Sequence, residues 1–111
     1  MSYFNKRPVP RTNDGKVTYG SGLLTNIITY AVEEIDDVAL FHSSNPIKYI
    51  FDKDGVAVDV DIKINYTCNV SEMAFKVQES IRHNVEAMTE YKINTVNVNV
   101  KDVFFDDAQS K

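Results

Sequence analysis

The eleven residues VAVDVDIKINY, 56 to 66, alternate without a break. Val56, Val58, Val60, Ile62, Ile64 and Tyr66 fall on one parity; Ala57, Asp59, Asp61, Lys63 and Asn65 fall on the other. Successive side chains of a β-strand point to opposite faces. The stretch therefore specifies one long strand with a dry face and a charged, wet face. Whatever the chain folds into must cover the first face and leave the second open, or hand it to a partner.

The remaining elements follow from the same kind of pattern. Residues 22–36 read as a helix, with Leu24, Ile27, Ile28, Ala31 and Ile35 at the spacing of one buried stripe and Ser21 as its N-cap. Val38 to Phe41 and Ile47 to Phe51 are short strands, separated by the loop His42-Ser43-Ser44-Asn45-Pro46. Asp52-Lys53-Asp54-Gly55 is a hairpin turn in which Gly55 is free to take positive φ. Asn69 to Thr89 is the second helix. Its apolar stripe is Val70, Ala74, Val77, Ile81, Val85 and Met88; Glu72, Lys76, Glu79, Arg82, Glu86 and Glu90 form the solvent stripe, and Asn69 with Glu72 resembles a capping box. TVNVNVKDV then alternates again, with Val96, Val98 and Val100 facing one way and Asn97, Asn99 and Lys101 the other. Two one-faced helices and two one-faced strands give an α+β fold of two layers, in which both helices pack on one face of a small, mostly antiparallel or mixed sheet. Residues 16–105 form this single domain, preceded by a flexible basic arm, 1–15, and followed by a frayed tail, 106–111; Lys16 to Tyr19 could add a short first strand.

Charge placement narrows the function. The chain of 111 residues has a net charge of −4, yet Lys6, Arg7, Arg11 and Lys16 make its start basic while residues 33–61 carry eight acids against two lysines. An acidic body argues against phosphate binding, which draws on clustered Lys and Arg. A small α+β nucleic-acid-binding domain is the alternative reading, because helix-backed sheets also serve RNA recognition. The wet strand faces lack the aromatics such a role would use. A lone Cys68 excludes an internal disulfide and fits a reducing compartment. No stretch is apolar enough to span a bilayer, so direct membrane insertion is not expected.

The residues resemble the alkaline-shock protein family, also known as the Gls-type envelope stress proteins. The resemblance lies in an alternating strand ending in Tyr66, a short link containing Asn69, a helix with Gln78 near its centre and a closing strand of the type V-x-V-x-V-x-D-V over Val96 to Val103. Residues 22–41 are similar to the family's first helix and the V-A segment after it, here Val38-Ala39. Asp36-Asp37 stands where the family often has Glu-Gly, and Ser71 where Pro is common. The resemblance implies a small bacterial cytoplasmic protein of cell-envelope homeostasis that self-associates and, in some members, is held at the membrane by a small membrane-anchored protein partner. It implies no catalytic residue and no cofactor.

Side chains that could carry chemistry are few. Asp59 and Asp61 share a strand face, but same-face neighbours lie about 7 Å apart and Lys63 continues that face, so no metal is expected there. Ile50 stands at the first position of a calcium loop aligned on Gly55, where an acid is required. Cys68 and His83 are separated by most of a helix, His42 lacks a nearby acid, Ser43 has no nucleophile-elbow context, and Gly20-Ser21-Gly22 is too short for a phosphate loop. Phe75 is different: it falls among Glu72, Glu79, Arg82 and Glu86 on the solvent stripe. An exposed aromatic there marks a contact patch. The expected interaction surface is thus Phe75 on the helix and Asp59, Asp61, Lys63, Asn97, Asn99 and Lys101 on the sheet, and the expected activity is non-enzymatic.

Overall fold

A computed structural model describes residues 22–105. The expected arm (1–15), the Lys16–Tyr19 strand, Ser21 and the 106–111 tail lie outside the described residues. The elements are α1 (Leu23–Glu33), β1 (Val38–Leu40), β2 (Ile47–Asp52), β3 (Gly55–Asn65), α2 (Val70–Met88) and β4 (Ile93–Phe104). The fold is α+β, with both helices on the dry face of a four-stranded mixed sheet.

The VAVDVDIKIN stretch is β3, the middle strand. One edge pairs antiparallel with β2 over Gly55–Val60 and with β1 over Ile62–Ile64; the other pairs parallel with β4 from Val56 to Asn65. Strands β1 and β2 are two halves of one edge. The Phe41 N–H donates to the Asp61 carbonyl at 2.9 Å, and the Asp61 N–H donates to the Pro46 carbonyl at 2.8 Å. Residues 42–45 are therefore a loop extruded from an edge strand whose ladder closes on both sides of it.

The hairpin into β3 needs its glycine. Gly55 has φ +141°, and a Cβ there would collide with the Lys92 carbonyl oxygen. That carbonyl accepts the Val56 N–H at 2.8 Å, so the turn and the entry to β4 are locked together. At the far end, the Asn65 side chain donates to Asp37 Oδ1 at 3.3 Å and accepts from the Thr67 N–H and hydroxyl. Asp37 adopts φ +72°, a left-handed conformation that Asp tolerates. This turn corrects the first helix. It ends at Glu33, short of 36, and Ile35 packs half-buried from the turn while Val32 completes the buried stripe. Its N-cap is Gly22, which has no side chain to accept a hydrogen bond.

Helix α2 begins with Asn69 accepting the Glu72 N–H at 2.9 Å, the Asn69 half of the expected capping box. Met73, Val77, Ile81 and Val85 are buried on its inner face, against Val56, Val58, Val60, Ile62 and Ile64 of β3. Val70 and Met88 are exposed, contrary to the expected stripe. At 100° per residue both lie on the axis of the buried face, so the helix overhangs the core at its ends rather than being rotated.

The expected solvent stripe is also corrected. Gln78, Arg82 and Glu86, one turn apart, reach β4: Gln78 donates to the Val96 carbonyl at 3.2 Å, Arg82 to the Ile93 carbonyl at 3.3 Å, and Glu86 accepts the Ile93 N–H at 2.8 Å. The other flank holds α1. The Ser80 hydroxyl donates to the Ala31 carbonyl at 2.8 Å, and Glu34 accepts from Asn84 at 3.3 Å.

Ile81→Ala should cost roughly 2–5 kcal/mol, the range for truncating a buried Ile. Glu79→Ala, at an exposed i,i+3 pair with Arg82, should stay within about 0.5 kcal/mol. Glu86→Ala removes a charged acceptor from a strand N–H and should cost about 1 kcal/mol or more. Equal costs at positions 79 and 86, measured by urea denaturation, would remove the edge-holding role of Glu86. Gly55→Ala should lower the melting temperature by several degrees, because φ and the Lys92 carbonyl both oppose it.

Candidate interaction surface

The sheet's outer face is built from residues of one parity in three lanes. Across them run the rows Ile50–Ala57–Thr95 and Lys48–Asp59–Asn97, then Asp61 beside Asn99 and Ala39–Lys63–Asp102. No helix among the described residues covers this face.

The expected surface residues are drawn together by hydrogen bonds. The Asn99 side-chain amide donates to Asp59 Oδ1 at 2.6 Å and to Asp61 Oδ1 at 3.0 Å. Asn97 donates to Asp59 Oδ1 at 3.4 Å, and Lys48 Nζ lies 3.9 Å from Asp61 Oδ2. The Asp61 side chain is only 13% exposed. The alternation of VDVDI and VNVNV thus builds a cross-strand ladder in which one amide bridges two carboxylates that would otherwise repel. Asp59 and Asp61 are held as hydrogen-bond acceptors, and among the described residues no three His, Cys, Asp or Glu side chains cluster as a metal site would need.

Lys101 departs from the expected row. The β3–β4 register shifts between Ile62 and Lys63, so Lys101 is the extra residue of a bulge and Asp102 stands opposite Lys63. Lys63 also lies over the Phe104 ring, 5.9 Å from its centroid. A second shift, after Val56, makes Asn94 the extra residue, and its amide donates to Asp52 at 3.1 Å. Bulges leave no trace in an alternating sequence until a partner strand sets the count. Phe104 ends β4, and Phe105 stacks on Tyr66 with ring centroids 4.8 Å apart.

The outer face holds a concavity of about 310 Å³. Its floor is Ala57, the smallest outward side chain of β3, flanked by Ile50 and Thr95 in register; Lys48, Asp59 and Asn97 form its rim. Ile50 is 70% exposed, an apolar wall on a polar face. The alternation signal could have found it, because β2 pairs Ile50 with Ala57, but the two-residue turn had to be counted first.

Phe75 is where the sequence places it, on the outer face of α2 and 60% exposed. Cys68 is half-buried in the turn before α2, and its N–H donates to the Asn65 carbonyl at 3.0 Å. His83 is exposed thirteen residues into the helix, about 20 Å along it. The two are not brought together.

Fold and face together define a two-layer α+β domain with an open, internally hydrogen-bonded sheet surface. The sequence profile of the alkaline-shock protein family, described by its cell envelope-related function, matches residues 42–105. The chain belongs to this family. It is similar to the protein YqhY of Bacillus subtilis strain 168, with 26% identity over 110 residues, covering 86% of this chain and 82% of that one. Among solved structures, a doubly substituted MamM-CTD shares the fold at TM-score 0.58 and 17% identity, over 75% of this chain and 96% of that one. The metal-bound C-terminal domain of the CzcD transporter from Thermotoga maritima does so at TM-score 0.55 and 15% identity, over 71% and 86%.

Asp59→Asn with Asp61→Asn should leave the fold nearly unchanged, since asparagine keeps an acceptor oxygen for Asn99. Asn99→Ala in the wild type should cost about 1–2 kcal/mol, and less in the double-asparagine background. A melting-temperature rise with calcium, magnesium or zinc, lost in the double variant, would contradict this account of the face.

Proposed function

We propose that this chain is a non-enzymatic, self-associating scaffold or partner-binding module of the cell envelope, working in the cytoplasm and brought to the membrane by a small membrane-anchored protein partner. The family's cell envelope-related function supports the setting. No helix among the described residues is long and apolar enough to cross a membrane, and a protein anchor supplies the link. Residues 16–105 act as the module, flanked by 1–15 and 106–111.

The observation that carries the reading is the open face of the sheet. Its carboxylates, amides and Lys48 already satisfy one another. Such a face can be covered without leaving a buried charge unpaired, which is the usual obstacle to docking on a charged surface. The metal in the CzcD neighbour's name belongs to that protein; among the described residues here no three His, Cys, Asp or Glu side chains cluster. Beyond the contacts of α2 with Ile93 and Val96, the sheet's two edges pair with no further strand among the described residues, and strands offer such edges to a second chain. Phe75, on the opposite layer, is a separate patch.

Light scattering across a concentration series should show association that weakens as salt is raised, and Asp61→Lys should weaken it further. A wild type that remains monomeric at every concentration and salt tested would remove the self-association part of the proposal. Co-purification of a membrane protein from native cells, lost on Asp61→Lys, would test the partner part.

A further inference from the structure

Two exposed apolar features stand apart on opposite layers of this domain. One is a knob, Phe75, on the outer face of α2. The other is a dimple, Ala57 with Ile50 and Thr95, on the outer face of the sheet. Ile50 could have been polar like Lys48 and Asp52 on the same face of β2, and Phe75 sits among Glu72, Lys76 and Glu79.

We infer that Phe75 of one copy seats in the Ala57 dimple of the next. This inference rests on the self-association proposed above and names its contact. The concavity of about 310 Å³ has room for a phenyl ring, with an aliphatic wall from Ile50 and the Thr95 side chain opposite. The surrounding charges complement each other in pattern. On the helix surface the knob is flanked by two acids, Glu72 and Glu79, with Lys76 to one side; the rim offers a base and an acid, Lys48 and Asp59. Lys48 is 46% exposed at its side chain, so its ammonium can meet a partner carboxylate while keeping its pair with Asp61 at 3.9 Å. Asp59 can take the partner's Lys76.

The geometry also fixes the form of the assembly. Helix α2 of one copy lies on the outer sheet face of its neighbour, which no helix among the described residues covers. The knob and dimple are different surfaces, so the contact is head-to-tail. Such contacts generate rings when the rotation closes and open chains when it does not. Interior copies of an open chain use both surfaces, each terminal copy keeps one free, and growth has no built-in stop.

Head-to-tail pairing makes a prediction that a symmetric dimer does not. Phe75→Lys destroys the knob and leaves the dimple; Ala57→Leu fills the dimple and leaves the knob. Each variant alone should associate at least about tenfold more weakly than wild type, the effect of losing a central apolar anchor. Mixed in equal amounts, they should form a one-to-one dimer that does not grow, read by light scattering and native mass spectrometry. Ile50→Lys, on the exposed wall, serves in place of Ala57→Leu if the latter lowers the melting temperature. A mixture that stays monomeric, or single variants that assemble like wild type, would overturn the contact while leaving self-association intact. A wild type that never associates would overturn both.

Discussion

Strand β3 pairs on both edges for nearly its whole length, and its inward side chains from Val56 to Ile64 are almost entirely removed from water. Every other element is placed by reference to it. Strands β1 and β2 share one edge and β4 takes the other; the helices cover the face that its valines and isoleucines present. Because the side-chain period is two, a one-residue slip of β3 would turn that whole set outward. The structure guards against the slip at both ends. Gly55 is wedged against the Lys92 carbonyl where the strand begins, and Asn65 is tied to Asp37 where it ends. The charged parity is fixed by the same two devices, so the outer face is as firmly registered as the core.

Helix α2 is the second organising element, and it acts through its flanks as much as its apolar stripe. Ser80 and Asn84 hold α1, while Gln78, Arg82 and Glu86 hold the first residues of β4. A helix that supplies side-chain partners to a strand edge does two things at once. It satisfies polar groups left over where β4 bulges, and it denies that part of the edge to another chain. The hydrogen bonds of Gln78, Arg82 and Glu86 reach only Ile93 and Val96, so pairing by a second strand is left to the stretch of β4 beyond them.

Much of this was legible in the sequence. The alternation of residues 56–66 and 95–101, the two helical stripes, the Asp52–Gly55 turn and the exposure of Phe75 all follow from local periodicity, which depends only on residue order. What was not legible depends on counting across strands. The bulges at Asn94 and Lys101, the parallel pairing of β4 and the sharing of one β3 edge by β1 and β2 are properties of pairs of strands, and one strand's pattern is silent about its partner's register. Helix ends are a similar case. Val70 and Met88 continue the buried stripe in direction, but burial needs a neighbour, and the core stops short of them. Glu86 and Arg82 read as solvent residues because their polar heads reach sideways to β4, a contact no helical wheel contains. The dimple at Ala57 combines both difficulties, since it exists only when three strands align Ile50, Ala57 and Thr95 in one row.

The outer face also separates affinity from specificity. Its carboxylates, amides and lysine are engaged with one another before any partner arrives, so covering them exchanges solvent at their rims for protein and gains little. Apolar area contributes more when removed from water, roughly 25 cal/mol per Å², and around the concavity it comes from Ile50, Ala57 and the Thr95 methyl. A partner that merely matches the charges would bind weakly and in several registers. One that also carries a single bulky apolar side chain gains its largest contribution in one position only, with the polar ladder rejecting displaced registers by leaving charges unmatched. A small dimple in a pre-satisfied polar face therefore favours weak, concentration-dependent contacts of defined geometry, the kind from which extended assemblies form without any single interface being strong.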